Sequence, residues 1–196
     1  MSNVLFLRTD NDVEVLKTMD HVLLYLDNIE DTYCWKWILT GWHSILQNVM
    51  VLALDNGNCF NVYLANANNR TLDIYNQIMQ DDYRNVEKLN LPSFLSLFSG
   101  IHSETFHGSI YSPSQSCRES MGVINEIRNN FIHFQPAGTS LQVNNWPAMI
   151  LATTEIIEHF ISSNEIARWF DGAENEFLTK FRSIQNRLKI LRDQYQ

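Results

Sequence analysis

Residues that favour turns are scarce in this chain of 196 residues, which contains four prolines and seven glycines. An all-β chain of this length needs many short turns and therefore uses more of both residues. Long helices need few of them, and apolar residues make up 45% of the chain, which is enough for a full-sized core. The sequence therefore predicts an all-α fold, and its length fits one domain over residues 1–196.

The sequence also lacks an uncharged apolar run of about 18 residues, which is the length that a membrane-spanning helix needs. Near the N-terminus, the short apolar run Val4 to Leu7 is followed at once by Arg8 and Asp10. A secretory signal has a basic segment and then a longer apolar one, and neither is present here. We therefore expect a cytoplasmic protein that does not contact a membrane.

Cysteines are few, and their spacing does not match the common metal motifs. Cys34, Cys59 and Cys117 are odd in number, lie far apart and form no CxxC pair. This pattern predicts reduced thiols of the kind found in the cytosol. His102 and His107 lie five residues apart in a Ser-rich segment without a nearby carboxylate pair, and we interpret them as loop residues. The sequence therefore predicts neither a metal site nor another cofactor.

Positive charge is in deficit, since the net charge is −8, and this argues against a general nucleic-acid binder. Residues 177–196 are the exception, with five Lys or Arg and one Asp, a balance of +4. This tail is either a solvated helix face or a positive stripe that attracts a phosphate backbone. In the second case, the residues that contact RNA are Lys180, Arg182, Arg187, Lys189 and Arg192.

Apolar residues recur at helical spacing along most of the chain. One helix is predicted from Asp10 or Asn11 to about Asn28, and a second from Asp31 to about Leu54. Because the link between them is short, they should form a long antiparallel hairpin. Residues 100–118 are predicted as a loop. Further helices are predicted at about 71–82, 93–99, 119–134 and 144–161, and from Ser163 or Asn164 to at least Leu191.

The helix predicted at 119–134 carries an arginine and a histidine that core packing does not require. With roughly 100° per residue and Ile124 at zero, Arg128 lies near 40° and His133 near 180°. The core stripe predicted for this helix comprises Val123, Ile124, Ile127, Phe131 and Phe134.

Between Arg128 and His133 lie Asn125, Asn129 and Ile132, which form a mixed second face. Such a face suits a polar subunit interface or a cleft. Two plainer interpretations stay open, in which Arg128 pairs with Glu126 or an aspartate and His133 caps the end of the helix. His43, beside the apolar stripe of the second helix, is interpreted as a hydrogen-bonded histidine at the edge of the core.

Residues Arg128 to His133, RNNFIH, resemble the Arg-Asn-x-x-x-His form of the Arg-x(4–6)-His motif of the HEPN superfamily. Members of that superfamily are small helical bundles that usually dimerise. Many are metal-independent ribonucleases of toxin–antitoxin, abortive-infection and CRISPR-linked systems. The resemblance implies an HEPN-like antiparallel helical bundle with a long N-terminal hairpin. Gln135 stands where some HEPN toxins carry a tyrosine that a partner enzyme modifies. The resemblance therefore does not support control of this protein by such a tyrosine modification.

The resemblance implies an endoribonuclease whose active site is shared across a homodimer, with a possible antitoxin or defence-system partner. His133 would act as acid or base, Arg128 would hold phosphate oxygens, and Asn129 would orient the imidazole or bind phosphate. Each protomer supplies one such set, so a symmetric dimer supplies two. The alternative is a non-catalytic HEPN-like dimeric adaptor or regulatory binding module, which the acidic composition favours.

Overall fold

The structure is a computed structural model that describes residues 10–55, 60–65, 69–85, 89–102, 111–133 and 140–195. Within these ranges the chain forms eight α-helices, one short 3-10 helix at Ala167–Phe170 and no strand, so the all-α prediction is confirmed. The α-helices are α1 (Asn11–Asp27), α2 (Cys34–Leu54), α3 (Phe60–Leu64), α4 (Asn69–Ile78), α5 (Phe94–Ile101), α6 (Gln115–Ile132), α7 (Trp146–Ser162) and α8 (Glu174–Tyr195).

The first two helices pack on each other as the predicted hairpin. In the short link between them, the Asp31 carboxylate accepts a hydrogen bond from the backbone N–H of Tyr33 at 2.9 Å. The helices approach closely at Gly41, where an added Cβ would lie 2.8 Å from Cγ2 of Val22. Glycine at this position therefore allows the two helices to come together.

Helix α2 is the central element of the bundle. Thirteen of its 21 residues are buried, over an arc of roughly 200°, which is wider than the single stripe of a surface helix. It packs against α1, α5, α6 and α7. The indole N–H of Trp42 donates to the Thr153 hydroxyl of α7 at 2.8 Å, and that of Trp169 donates to the Leu52 carbonyl at 3.0 Å. Both tryptophans thus connect later elements to α2.

By length and composition alone, α2 is also able to cross a membrane, although we expected no such segment. Its mean hydropathy reaches 1.2 over 18 residues, and residues 37–54 contain no Lys, Arg, Asp or Glu, although polar side chains such as His43 and Asn48 interrupt the apolar run. Most of this helix is buried among the other helices of the bundle. The core helix of a bundle meets the same criteria as a membrane span.

Several helix boundaries differ from the predicted ones. Helix α6 begins four residues early, because the Ser114 hydroxyl accepts from the Cys117 N–H at 3.1 Å and caps the helix, so residues 115–118 are not a loop. The last helix does not start at Ser163 or Asn164, since the 3-10 turn and Gly172, with φ at +77°, precede α8. Helix α3 was not predicted, and α4 ends at Ile78 before the expected boundary.

The core stripe predicted for α6 was also partly wrong. Ile127 and Phe131 are partly buried against the core as predicted, whereas Val123 is 44% exposed and Phe134 lies outside the described residues. The buried side chains of this helix are Cys117, Ser120, Met121 and Ile124. Their mean direction differs from the predicted one by roughly 60°, because small polar side chains fill the contact where the prediction favoured large apolar ones. Arg128 therefore projects from the buried side of α6 and not from its flank.

Two glycines in helices provide a matched test of this packing. Gly41→Ala should lower the free energy of unfolding by about 1–3 kcal/mol, because the new methyl group meets Val22. Gly122→Ala on α6 should raise it by about 0.5–1 kcal/mol, because no atom lies within 4 Å of the added Cβ and alanine favours the helix. Urea denaturation followed by circular dichroism measures both. Equal stability of the two variants would contradict the close α1–α2 contact.

Candidate functional site

The three motif residues lie at the C-terminal end of α6 and run from the core edge to the surface. Arg128 and Asn129 are half-buried in the last turns of the helix, and His133 is exposed at its C-cap. The backbone N–H of His133 donates to the Asn129 carbonyl at 2.9 Å and so continues the hydrogen bonding of the helix. The backbone of His133 is therefore held by the helix, and its imidazole is exposed to solvent.

Arg128 is a half-buried cation next to neutral groups. Its Nη1 donates to the side-chain oxygen of Asn129 at 3.0 Å. Among the described residues, no carboxylate forms an ion pair with it, and Glu126 is exposed on another side of α6. The interpretation in which Arg128 pairs with Glu126 therefore has no support in this part of the chain. A planar guanidinium that no described carboxylate neutralises suits an anionic ligand such as phosphate.

His43 of α2 lies beneath this arginine. It is only 3% exposed, and its ring stacks on Phe94 with centroids 3.9 Å apart. Burial, together with the charge of Arg128, lowers the pKa of His43 to about 4, although a hydrogen bond with the Asn125 side chain acts in the opposite direction. At neutral pH the imidazole is therefore uncharged and does not repel the guanidinium.

Sequence reasoning missed this neighbourhood of Arg128. His43 was recognised only as a core-edge histidine, and its position 85 residues before Arg128 gave no signal that they meet. Its Nε2 has no hydrogen-bond partner within the described ranges, so only part of the imidazole's hydrogen-bonding capacity is met there. The contact depends on the rotation of α6, which places Asn125 and Arg128 towards α2.

Other polar clusters serve the structure of the bundle. A carboxylate oxygen of Glu155 accepts from the Tyr111 hydroxyl at 3.0 Å and from the Ser114 N–H at 2.8 Å. Burial opposes ionisation of Glu155, but these hydrogen bonds outweigh it and the pKa of the carboxyl is lowered. Burial raises the pKa of the nearby Cys117 thiol to about 12, so this thiol is unreactive. The network ties the start of α6 to α7.

The remaining metal-ligand and thiol candidates form no centre in the described segments. There, no group of three or more His, Cys, Asp or Glu side chains is placed to hold a metal ion. His102 ends α5 with its ring 5.0 Å from that of Phe98, whereas His107 lies outside the described residues. Cys34 and Cys117 are free thiols, and Cys59 also lies outside.

The basic tail is divided between different sides of α8. Lys180 is 2.6 Å from both Asp20 of α1 and Glu176, and Arg187 pairs with Asp27 of α1. Burial lowers the pKa of Lys180, but the two carboxylates outweigh it and raise the pKa overall. These two cations therefore neutralise acidic side chains of the hairpin.

The other tail cations face away from α1. Arg182 and Lys189 are exposed and lie roughly 200° and 180° around α8 from Lys180. Arg192 pairs with its neighbour Asp193 at 2.9 Å. The five residues predicted to contact RNA thus do not form a single stripe, and only Arg182 and Lys189 are exposed without an ion pair among the described residues.

Comparison of the chain with protein-family models, with curated proteins and with solved structures gives no match. The resemblance to the HEPN superfamily therefore stays a prediction from the RNNFIH motif.

The shifted pKa of His43 predicts a specific loss of stability in acid. An unfolded histidine titrates near 6.5, whereas the folded pKa is about 4, so the unfolded state binds the proton first as the pH falls. Stability due to neutral His43 is complete above about pH 6.5 and is lost as the pH falls towards 4, by about 3 kcal/mol at most. His43→Gln removes this titration.

The measurement is urea denaturation of wild type and His43→Gln at several pH values. The stability of the wild type relative to the variant should fall as the pH decreases from 7 to 4. His21→Gln, a change of an exposed histidine on α1, is the control and should leave the pH dependence of the wild type intact. Parallel curves for wild type and His43→Gln would show that His43 titrates normally in the folded protein.

Proposed function

We propose that the protein is a metal-independent endoribonuclease of HEPN type, a helical bundle that acts as a cytoplasmic homodimer. The observation that carries the proposal is the half-buried Arg128, which no described carboxylate neutralises, five residues before the exposed His133. This combination provides a phosphate-binding cation and a proton-transfer group on one helix end. A toxin or phage-defence role, with an antitoxin or defence-system partner, is part of the proposal.

The proposed reaction uses both protomers. His133 of one protomer takes the proton from the ribose 2′-hydroxyl, and the 2′-oxygen attacks the adjacent phosphorus. The bond from phosphorus to the 5′-oxygen breaks, and His133 of the second protomer, already protonated, donates its proton to that leaving oxygen. Arg128 stabilises the charge on the phosphorane oxygens, and Asn129 orients the guanidinium with which it shares a hydrogen bond. The products are a 2′,3′-cyclic phosphate and a 5′-hydroxyl.

The exposed end of α6 supports the proposed dimer. Ile132 is 42% exposed, next to the half-buried Asn129 and the exposed His133. An apolar side chain between polar neighbours is suited to pack against its own symmetry copy in a two-fold interface. We propose that the face of Asn125, Asn129 and Ile132 forms part of this interface. Association there brings two copies of His133 towards one cleft.

RNA reaches an acidic protein only where positive charge is locally available. Lys180 and Arg187 are occupied by carboxylates of α1, so we assign the tail's part in RNA binding mainly to Arg182 and Lys189. Such contacts add affinity that decreases with salt. The larger contribution is assigned to Arg128, where partial burial strengthens the interaction with a phosphate.

Removal of the proposed proton-transfer group should abolish most of the turnover. Wild type should cleave mixed single-stranded RNA in the presence of EDTA and should leave DNA intact, because DNA has no 2′-hydroxyl. His133→Ala should reduce the rate by about 10²- to 10⁴-fold with unchanged helix content. His21→Ala replaces another exposed histidine, on α1, and should cleave like wild type.

The arginine supplies a second discriminating variant. Arg128→Lys should retain only part of the wild-type activity, because an ammonium group cannot present the planar fork of a guanidinium to phosphate. Equal cleavage by wild type and His133→Ala would indicate a contaminating nuclease or a different site. An absence of cleavage over a wide range of RNAs would favour the non-catalytic dimeric adaptor, which the acidic composition and the paired tail cations also suit.

The dimer should be disrupted by a charge at the centre of the proposed interface. Light scattering at micromolar concentration should give twice the protomer mass for wild type and the protomer mass for Ile132→Asp, because a desolvated carboxylate is costly. Leu72→Asp on α4 is a matched control, since both side chains are 42% exposed, and it should remain a dimer. A wild-type protein that is monomeric under these conditions contradicts the shared active site.

A further inference from the structure

A cavity of about 370 Å³ opens where the start of α2 and the end of α6 meet the start of α7. Aromatic side chains from all three helices form much of its wall, together with one lysine. Its lining includes Tyr33, Trp35, Lys36, Phe131, Leu141 and Trp146. An aromatic wall of this kind presents ring faces and edges to a flat, unsaturated ligand.

Trp35 is the most deeply buried aromatic residue in the wall of this cavity. Its side chain is 1% exposed, and its indole Nε1 has no hydrogen-bond partner within the part of the chain that the structure describes. A buried donor without an acceptor costs about 1–3 kcal/mol, so packing alone does not account for a tryptophan here. Its ring is held by Trp146, edge-on at 6.1 Å, and by Tyr195 at 6.2 Å. The indole N–H lies below the accessible surface, and the ring is a fixed part of the cavity wall.

Positive charge is held among the aromatic rings of the same region. The Lys36 ammonium lies 5.4 Å from the ring centre of Tyr33, 5.2 Å from that of Trp37 and 5.7 Å from that of Phe131. It also donates to the Tyr33 hydroxyl at 3.2 Å. The cavity thus combines stacking surfaces with a cation, as in sites for single-stranded nucleic acid.

The cavity adjoins the motif along the contact between α2 and α6. Phe131 follows Arg128 by three residues, which is a rise of about 4.5 Å along the helix. On α2, Lys36 precedes His43 by seven residues, or about two turns. Since His43 faces Arg128 and Lys36 faces Phe131, the same two helices carry the anion-binding arginine and the aromatic cavity. The spacing fits neighbouring parts of one nucleotide chain.

We propose that this cavity binds a base of single-stranded RNA beside the cleaved phosphate, an inference that rests on the proposed ribonuclease function. Phe131 and Trp146 contact the base, and the Trp35 ring supports Trp146 from behind. Lys36 contacts the adjoining phosphate. Proteins commonly read unpaired RNA bases by stacking and edge hydrogen bonds, so the cavity also confers a preference for unpaired RNA.

The test uses nucleoside 5′-monophosphates, which contain no bond that the proposed nuclease can cleave. The indole N–H resonance of Trp35, assigned by its loss in Trp35→Phe, is followed by NMR during titration with adenosine or uridine monophosphate. It should shift with either nucleotide and not with ribose 5-phosphate, which has no base. Leu141→Trp, a change at a 43% exposed position, should fill the cavity and abolish the shift, whereas Leu72→Trp on α4 should not.

Cleavage kinetics supply the second measurement. Leu141→Trp should raise KM for single-stranded RNA about tenfold and leave kcat close to wild type, which a general folding defect would not do. A Trp35 resonance that does not respond to nucleotides, or a response unchanged in Leu141→Trp, overturns the proposal. A base-dependent shift that Leu141→Trp removes, in a wild-type protein without cleavage activity, supports the cavity as a nucleotide site and rejects the ribonuclease function.

Discussion

The burial of α2 over more than half of its circumference is the constraint on which the rest of the structure depends. A helix with an apolar arc of roughly 200° has to be covered from several sides, and α1, α5, α6 and α7 do this. Directional contacts then fix how the covering helices sit. Gly41 lets α1 approach, and the Trp42–Thr153 hydrogen bond sets α7 against the same helix. The candidate site depends on the same arrangement, because His43 of α2 lies beneath Arg128.

The orientation of α6 gives Arg128 its unusual surroundings. Ser114 starts the helix and Glu155 of α7 holds that start, so the small side chains of Cys117 and Ser120 face the core. The same rotation, continued to the last turns, directs Arg128 towards α2. There it meets a histidine that burial keeps neutral, with Asn129 as its hydrogen-bond acceptor. A cation placed among neutral groups in a partly desolvated position attracts an anion more strongly than one on an acidic surface.

Much of the fold could be predicted from local sequence, but the surroundings of the site could not. Helical periodicity located most of the helices, Asp10 stands at the start of α1 as expected, and the short link predicted the hairpin. A prediction from periodicity also assumes that large apolar residues mark the buried side of a helix. In α6 this assumption is wrong for Val123, which is exposed. The motif located the candidate residues. Contacts between distant residues, such as His43 with Arg128, depend on tertiary packing that no local pattern contains.

The ion pairs of α8 show why net charge is a poor guide to where an anion would bind. A count of charges over the tail includes Lys180 and Arg187 in a predicted phosphate-binding stripe. Both instead neutralise carboxylates of α1 and thereby connect α8 to α1. Arg128 contributes one positive charge to an acidic chain, so a count of charges along the sequence does not identify it. What distinguishes it is the absence of a neutralising carboxylate among the described residues, together with partial burial. The strength of phosphate binding depends on such a locally unneutralised charge. Salt screens solvent-exposed charges over about 8–10 Å, whereas it screens a partly buried charge much less.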